Sequence, residues 1–149
     1  MLRFAVERLV DNMAEVRPLI DQHVIDVRGE DHQTPVDLQW YLKQEIAGNL
    51  LALTVRHAGL MVGYATVFFY NDQYSGRIES KVDSVYLHES YRKGRNGIEF
   101  LRYIERQAKI RGAACLYQSA TPSINFGRVL DRLGYDLVTL TYCKDFRGE

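Results

Sequence analysis

The strongest constraint on the fold is a short basic turn, residues 91–97 (YRKGRNG), which joins two segments of different periodicity. The alternation before it, at 82–88, predicts a strand, and the apolar spacing after it, at 98–111, predicts an amphipathic helix. The first N–H groups of a helix have no intrahelical partner, and the helix dipole places partial positive charge there. The sequence therefore predicts an anion site suited to phosphate. The alternative left open is a solvated basic loop before an ordinary helix.

Composition favours one soluble globular domain over residues 1–149. Hydrophobic residues make up 46% of the chain and charged residues 26%, which are ordinary values for such a domain. Lysine plus arginine equals aspartate plus glutamate at 19 each, so the global charge of a nucleic-acid binder is lacking. No apolar run is long enough to span a bilayer, and Met1 leads directly into alternating residues. We therefore expect a cytoplasmic protein with no membrane partner and no nucleic-acid partner.

The periodicity along the chain predicts a mixed sheet. Strand patterns cover 2–9, 50–55, 60–70, 77–88, 113–118 and 135–143, with a hairpin signal at 56–59. Helix patterns begin at a cap on Asp11 or Asn12, at Thr34-Pro35, at Ile98 and at Thr121. Hairpins in the first half and helical crossovers in the second predict an α/β (α+β) fold, a mostly antiparallel sheet flanked by about four helices.

This order of elements, with the basic turn, Gly112 and a downstream Leu133-Gly134-Tyr135, resembles the GCN5-related N-acetyltransferases, the GNAT superfamily. The form of the turn is similar to that of a subgroup often carried by bacteriophages. The resemblance implies an acyl-CoA co-substrate, acetyl-CoA in the first place, and a direct transfer to an amine. It also implies that the pyrophosphate is held by six residues of the turn, Arg92, Lys93, Gly94, Arg95, Asn96 and Gly97.

The resemblance further implies that the backbone around Leu87 pairs with the pantetheine arm where two strands splay apart. Amides of an extended ligand can add to a strand edge by main-chain hydrogen bonds. Two positions depart from the family pattern. Arg95 stands where the usual turn has glycine, so its side chain must either turn away from the phosphate or contribute to binding. Leu130 stands where many members have the tyrosine that protonates the departing thiolate, which excludes that route.

Acetyl transfer to an amine needs a base for the ammonium proton and a proton donor for the leaving sulfur. Asp83 is the candidate base, because several family members place an acidic residue there; alternation puts it on the strand face of Val85 and Leu87. A plain strand-surface carboxylate is the alternative, and Glu79 is a weaker candidate. Tyr142 is the candidate thiolate donor.

Tyr117 is an alternative donor, and a packing residue with a wet hydroxyl is the other interpretation of both tyrosines. The acceptor is expected to be a primary amine on a small molecule or a protein. It would enter between the helical first half and the loop 71–76, near four aromatic residues, Trp40, Tyr41, Tyr70 and Tyr74.

The histidines give no sign of a metal site. His23, His32 and His57 share no metal-ligand spacing with carboxylates or cysteines, so no metal is expected. The oligomeric state is left open, with a homodimer as one form. Two other functions remain open as well: a non-catalytic CoA-binding or regulatory module on the same fold, and a phage-type enzyme that modifies nucleic acid or a host protein.

Overall fold

The computed structural model describes residues 1–29, 36–122 and 125–148, in two compact units, Met1–Gln118 and Ser119–Glu149. One domain over 1–149 therefore stays a prediction. The strands of the described ranges are β1 (Leu2–Val6), β2 (Leu50–His57), β3 (Leu60–Asn71), β4 (Ile78–Leu87) and β5 (Leu116–Tyr117). The helices are α1 (Met13–Arg28), α2 (Leu38–Ile46), α3 (Asn96–Ile110) and α4 (Phe126–Arg132), and a 3₁₀ turn (Glu89–Tyr91) precedes α3.

The five strands form one sheet in the order β1-β2-β3-β4-β5. The first three pairings are antiparallel and the last, between β4 and β5, is parallel. The predicted mixed, mostly antiparallel sheet with four helices is therefore confirmed. The hairpin signal is confirmed too, because Ala58 and Gly59 have φ of 49° and 84°, the two positive values that a tight turn between β2 and β3 requires.

The sheet of the first unit lies between two helical layers. On one face, α1 and α2 bury a cluster that includes Val16, Ile20, Leu38, Tyr64 and Tyr86. On the other face α3 packs its apolar side, and the rings of Phe4 and Phe100 stack with centroids 5.5 Å apart. The period of α3 places Phe100, Leu101, Ile104 and Ala108 on this buried side, in agreement with the amphipathic helix predicted at 98–111.

An ion network ties α1 to the edge of the sheet. Arg56 on β2 donates to Glu7 at 2.9 Å and to Glu15 on α1 at 2.7 Å. The guanidinium is the main reason that the pKa of Glu7 lies below its ordinary value, against an opposing effect of burial. The network fixes the start of α1 against the sheet and, with it, the side chains that α1 presents further along.

Several element predictions differ from the structure: β1 ends at Val6 and not at residue 9, β5 covers Leu116–Tyr117 and not 113–118, and α4 begins at Phe126 and not at Thr121. Thr34-Pro35 lies outside the described residues, and α2 begins later, at Leu38, where the Asp37 carboxylate accepts from the Trp40 N–H at 3.2 Å. The prediction of a strand at 135–143 was wrong, since residues 135–146 form neither helix nor strand. A strand requires a ladder partner for its backbone groups, and here the side chains of Leu137, Val138, Leu140 and Tyr142 are 66–88% exposed.

Candidate functional site

A β-bulge on β4 sets the direction of the candidate base Asp83. Thr66 pairs with Ser84 and Val67 pairs with Val82, so Asp83 is an extra residue without a partner of its own on β3. The bulge breaks the alternation, and Asp83 points to the face of Thr66 and Ser84. The expectation that Asp83 shares a face with Val85 and Leu87 was therefore wrong, because simple alternation assumes an unbroken ladder.

The carboxylate of Asp83 is held by hydroxyl groups from two directions. Tyr41 on α2 donates to Oδ2 at 2.6 Å, and Thr66 on β3 donates to the same oxygen at 3.3 Å. The Thr66 hydroxyl also lies 2.5 Å from that of Ser84. Burial and the neighbouring carboxylate raise the pKa of Tyr41, so its hydroxyl remains a donor throughout the neutral range. Both bonds end on Oδ2, which leaves Oδ1 without a hydrogen-bond donor among the described residues.

A histidine and two tyrosines lie beside this carboxylate. Nδ1 of His23 on α1 is 2.6 Å from the Tyr64 hydroxyl, and the His23 ring stacks on Tyr86 with centroids 5.0 Å apart. Burial lowers the pKa of His23, and Arg92 lowers it further against the opposing effects of Asp26 and Asp83. The ring is therefore neutral at physiological pH, and burial also raises the pKa of Tyr64.

Asp83, Tyr41, His23 and Tyr64 line a cavity of about 330 Å³ between α1, α2 and the sheet. Its sheet side is polar, and its helical side combines aliphatic side chains with His23, Arg28 and Tyr41. The polar lining comes from Tyr41, Tyr64, Thr66, Asp83, Ser84 and His23, with Arg28 as the remaining charged residue; the apolar lining comes from Leu9, Ile20, Val24, Val27, Val36 and Leu38. Asp83 is thus an exposed carboxylate on the polar side of a small cavity that also has an aliphatic wall.

A second, wider cavity of about 690 Å³ lies further along α2. Trp40, Phe68 and Tyr70 line it, together with Lys81. Of the four aromatic residues predicted at the acceptor entrance, Trp40 and Tyr70 are in this cavity and Tyr41 is in the smaller one. Tyr74 is 98% exposed and lines neither. The predicted aromatic set is therefore divided between two cavities.

The edge of β4 is open over most of its length in the first unit. β5 pairs only with Ser80 and Lys81, so no strand of this unit lies beside residues 82–87. His88 donates its N–H to Val62 on β3 at 2.8 Å, and in an antiparallel ladder the backbone groups of Leu87 then point the other way. Alternation gives Val85 the same direction. Val85 thus offers its N–H and carbonyl at an open edge and Leu87 offers its N–H, since Arg92 donates to the Leu87 carbonyl; these groups suit the amides of a pantetheine arm.

The basic turn follows this edge and opens α3. Gly94 has φ of +59°, a conformation that side chains disfavour, and Arg95 is the N-cap of α3. Lys93 and Arg95 are exposed. A Cβ added to Gly97, in the first turn of α3, would meet no described residue within 4 Å, so an anion can approach the N–H groups there. The turn and the open edge together fit the pyrophosphate and arm of an acyl-CoA.

Arg92 is held differently from its basic neighbours. Its Nε donates to the Leu87 carbonyl, its guanidinium lies over the Tyr86 ring at 5.3 Å, and Nη2 is 3.4 Å from Asp26 on α1. These contacts direct Arg92 toward the sheet and α1. To contact pyrophosphate as predicted, the Arg92 guanidinium would have to exchange its weak contact with Asp26 for the ligand. Its Nε is already engaged with the Leu87 carbonyl.

The candidate thiolate donors are placed less favourably. Tyr142 lies in the second unit with its side chain 88% exposed, and its catalytic role stays a prediction. The hydrogen bond with Cys115 raises the pKa of Tyr117 to about 12, which weakens it as an acid. Glu79, the weaker candidate base, is buried and accepts from the Cys115 thiol at 3.4 Å. It is not among the described lining residues of either cavity. Leu130 is buried in α4.

Sequence reasoning did not find His23 and Tyr64 as site residues. His23 lies 41 positions from Tyr64 along the chain, and its helical period identifies only the face of α1 that it occupies. The signal that was available is a histidine on an otherwise apolar helix face. In the described ranges, no group of three or more His, Cys, Asp or Glu side chains is arranged to hold a metal ion. None of the described helices is both long and apolar enough to cross a membrane.

No protein-family model matches the chain, and no curated protein matches it in sequence. Solved structures do match over nearly the whole length. An aminoglycoside acetyltransferase from an uncultured soil metagenomic sample aligns with a TM-score of 0.79 at 13% identity, covering 97% of this chain and 98% of that one. A ribosomal-protein-alanine N-acetyltransferase from Brucella melitensis biovar Abortus 2308 gives 0.75 at 19% identity, with 98% and 99% covered.

A glucosamine-6-phosphate N-acetyltransferase from Arabidopsis thaliana gives a TM-score of 0.73 at 10% identity, with 98% of this chain and 99% of that one covered. The three enzymes share the architecture of this chain at low sequence identity. The fold of the chain is therefore that of the GNAT acetyltransferases, as its element order predicted.

Proposed function

We propose that the chain is an acyl-CoA-dependent N-acyltransferase that transfers acetyl from acetyl-CoA to a primary amine. One observation carries the proposal. The bulge on β4 directs Asp83 into a cavity. Further along the same strand, Val85 and Leu87 turn their backbone groups toward an open edge. In this proposal the base for the amine and the strand edge for pantetheine belong to one strand, which continues into a basic turn.

In this proposal, Asp83 accepts the ammonium proton and the free amine attacks the thioester that acetyl-CoA supplies. Tyr41 and Thr66 hold Oδ2 of Asp83, so Oδ1 is the oxygen that meets the ammonium. The departing thiolate takes a proton from Tyr142 or from water, because Leu130 carries no acidic proton, and the second proton that the nitrogen loses on becoming an amide restores that donor. The acceptor class is a small-molecule or protein amine, in line with the amine-acetylating enzymes that share the fold.

Coenzyme binding is tested first, by calorimetry with acetyl-CoA and with CoA. Arg95→Glu reverses a charge at the N-terminus of α3 and is expected to weaken binding at least tenfold. Lys109→Glu is the matched control, since it makes the same reversal at the other end of α3, about 20 Å away. An unmodified chain that does not bind CoA, or a loss equal in both variants, would contradict the proposed coenzyme site.

Catalysis is tested second, by thiol release with a panel of primary amines. Asp83→Asn keeps the shape of the side chain and removes the base, so turnover is expected to fall about 100-fold or more while CoA affinity is kept. CoA binding without turnover for any amine would instead favour the non-catalytic module. Turnover that Asp83→Asn leaves unchanged would show that another group takes the proton.

A further inference from the structure

The lining of the 330 Å³ cavity indicates the size and polarity of the acceptor, in addition to its primary amine. We infer that the acceptor is a compact primary monoamine with an apolar body, held with its ammonium on Asp83 and its carbon skeleton between α1 and α2. This inference rests on the proposed function, because it assigns the acceptor of the same reaction. The size of the cavity, the placement of its charges and its apolar wall each support it.

The size of the cavity limits the size of the acceptor. Ligand cavities commonly measure about 300–1,000 Å³, and this one is at the lower end. Such a volume accommodates a small amine and excludes an oligosaccharide or a folded peptide segment from full enclosure. The wider cavity beside Trp40 has none of its described lining residues in common with this one, and Asp83 is not among them.

The placement of charge fixes the position of the ammonium. Asp83 is the only carboxylate among the described lining residues, and its Oδ1 carries no donor there. Primary alkylamines are protonated at neutral pH, as the lysine side chain is with a pKa of about 10.4. His23 is kept neutral by burial and so does not repel the ammonium. Among the described lining residues, Asp83 is therefore the one favourable position for the ammonium.

The apolar wall determines the chemistry of the rest of the acceptor. Val24 and Val27 on α1 line the cavity together with Val36 and Leu38, and Arg28 is the one cation in its described lining. A second ammonium in the acceptor would lie among these aliphatic side chains or beside Arg28, at a cost in desolvation or repulsion. A hydrocarbon body would instead cover Val27, which is 59% exposed in the free chain.

The experiment measures thiol release from acetyl-CoA with a graded series of acceptors, ethylamine to hexylamine. Each added methylene is expected to raise kcat/KM roughly fourfold until the cavity is filled, the ratio that corresponds to about 0.8 kcal/mol per buried CH₂. Pentylamine is compared with 1,4-diaminobutane, which has the same number of heavy atoms and a terminal ammonium. The diamine is expected to be at least tenfold poorer.

A matched pair of variants locates the effect on α1. Val27→Asn places a polar group in the cavity wall and is expected to reduce the hexylamine-to-ethylamine ratio at least fivefold. Ile25→Asn makes a similar change on the same helix, at a side chain that is 39% exposed and outside the cavity lining, and should leave the ratio unchanged. Direct titration of the same variants with hexylamine, followed by NMR, gives a second readout that does not require turnover.

The outcomes separate this inference from the proposed function. Turnover that is flat along the alkyl series, better for the diamine or confined to aminosugars and peptides would overturn the inference and leave the acyltransferase in place. Absence of hexylamine binding in the titration would overturn it as well. Absence of CoA binding would contradict the proposed function itself, and the hexylamine titration would then still decide whether the cavity takes an apolar amine.

Discussion

The Tyr41 hydroxyl donates a 2.6 Å hydrogen bond to Oδ2 of Asp83, joining α2 to the bulge on β4 across 42 positions of the chain. The two residues are brought together by different devices. Asp37 caps the helix that carries Tyr41, and an extra residue in the β3–β4 ladder turns Asp83 to the same side. The orientation of the candidate base Asp83 thus depends on the position of α2, although the open strand edge belongs to β4.

Tyr41→Phe removes only this hydroxyl and is expected to lower kcat/KM about tenfold, because Asp83 loses its shorter hydrogen bond and with it a fixed orientation. CoA affinity should not change, since Tyr41 lies away from the basic turn. Tyr74→Phe, at a loop residue that is 98% exposed, is the matched control and should leave both quantities unaltered. An equal loss of activity in the two variants would show that the hydrogen bond does not position the base.

Stability is expected to depend on pH through His23. Its pKa is lowered from 6.5 in the folded chain, so between that lowered value and 6.5 the unfolded chain binds more protons. The free energy of unfolding should therefore fall as pH is lowered through about 6.5, and the contribution is complete above that pH. Glu7 and Asp26 also have lowered pKa values, but they titrate from ordinary values of 4.5 and 3.8, in a more acidic window.

Urea unfolding at about pH 7.5 and pH 5.5 measures this effect. His23→Gln should reduce the difference in unfolding free energy between the two conditions. Ile25→Asn, a change on the same helix that removes no titratable group and lies outside the cavity lining, should leave the difference as it is. A pH dependence that survives in His23→Gln would assign the proton uptake to another group.

The order of elements could be predicted because it rests on local signals. The hairpin at Ala58-Gly59 and the basic turn before α3 are each encoded within a few neighbouring residues. The end of α3 at Gly112, with φ of +85°, belongs to the same class. These positions combine a change of periodicity with glycine, and the structure follows them closely.

The direction of Asp83 could not be predicted in the same way. A bulge is a property of the pairing between two strands, and no residue type marks Asp83 as the extra one. The contact between His23 and Tyr64 also depends on how α1 packs on the sheet, which periodicity does not specify. The segment 135–143 shows the converse case, since a strand-like composition formed no strand without a ladder partner.

Gly63 on β3 is expected to tolerate no side chain. A Cβ there would lie 2.7 Å from the Tyr86 carbonyl oxygen and 3.1 Å from Leu87 Cδ1, and the backbone oxygen cannot move without displacing β4. Gly63→Ala should cost about 1–3 kcal/mol of unfolding free energy, measured by urea titration. Gly127→Ala in α4, whose Cβ would meet Ala120 at 3.9 Å and no other described residue within 4 Å, is the control and should be neutral or stabilising. Equal stability of the two variants would contradict the close approach of β3 and β4.

Gly97 tests whether the start of α3 is approached by a ligand. Its Cβ would meet no described residue within 4 Å and its φ is not positive, so Gly97→Ala should leave the folded chain unstrained and raise stability by up to about 1 kcal/mol. A phosphate drawn to the N–H groups of the first turn would meet the new methyl group. CoA affinity should therefore fall about tenfold in calorimetry while stability is kept, a combination that a structural role for Gly97 does not produce. Gly127→Ala again provides the control, with unchanged CoA affinity, and unchanged affinity in Gly97→Ala would place the pyrophosphate away from this turn.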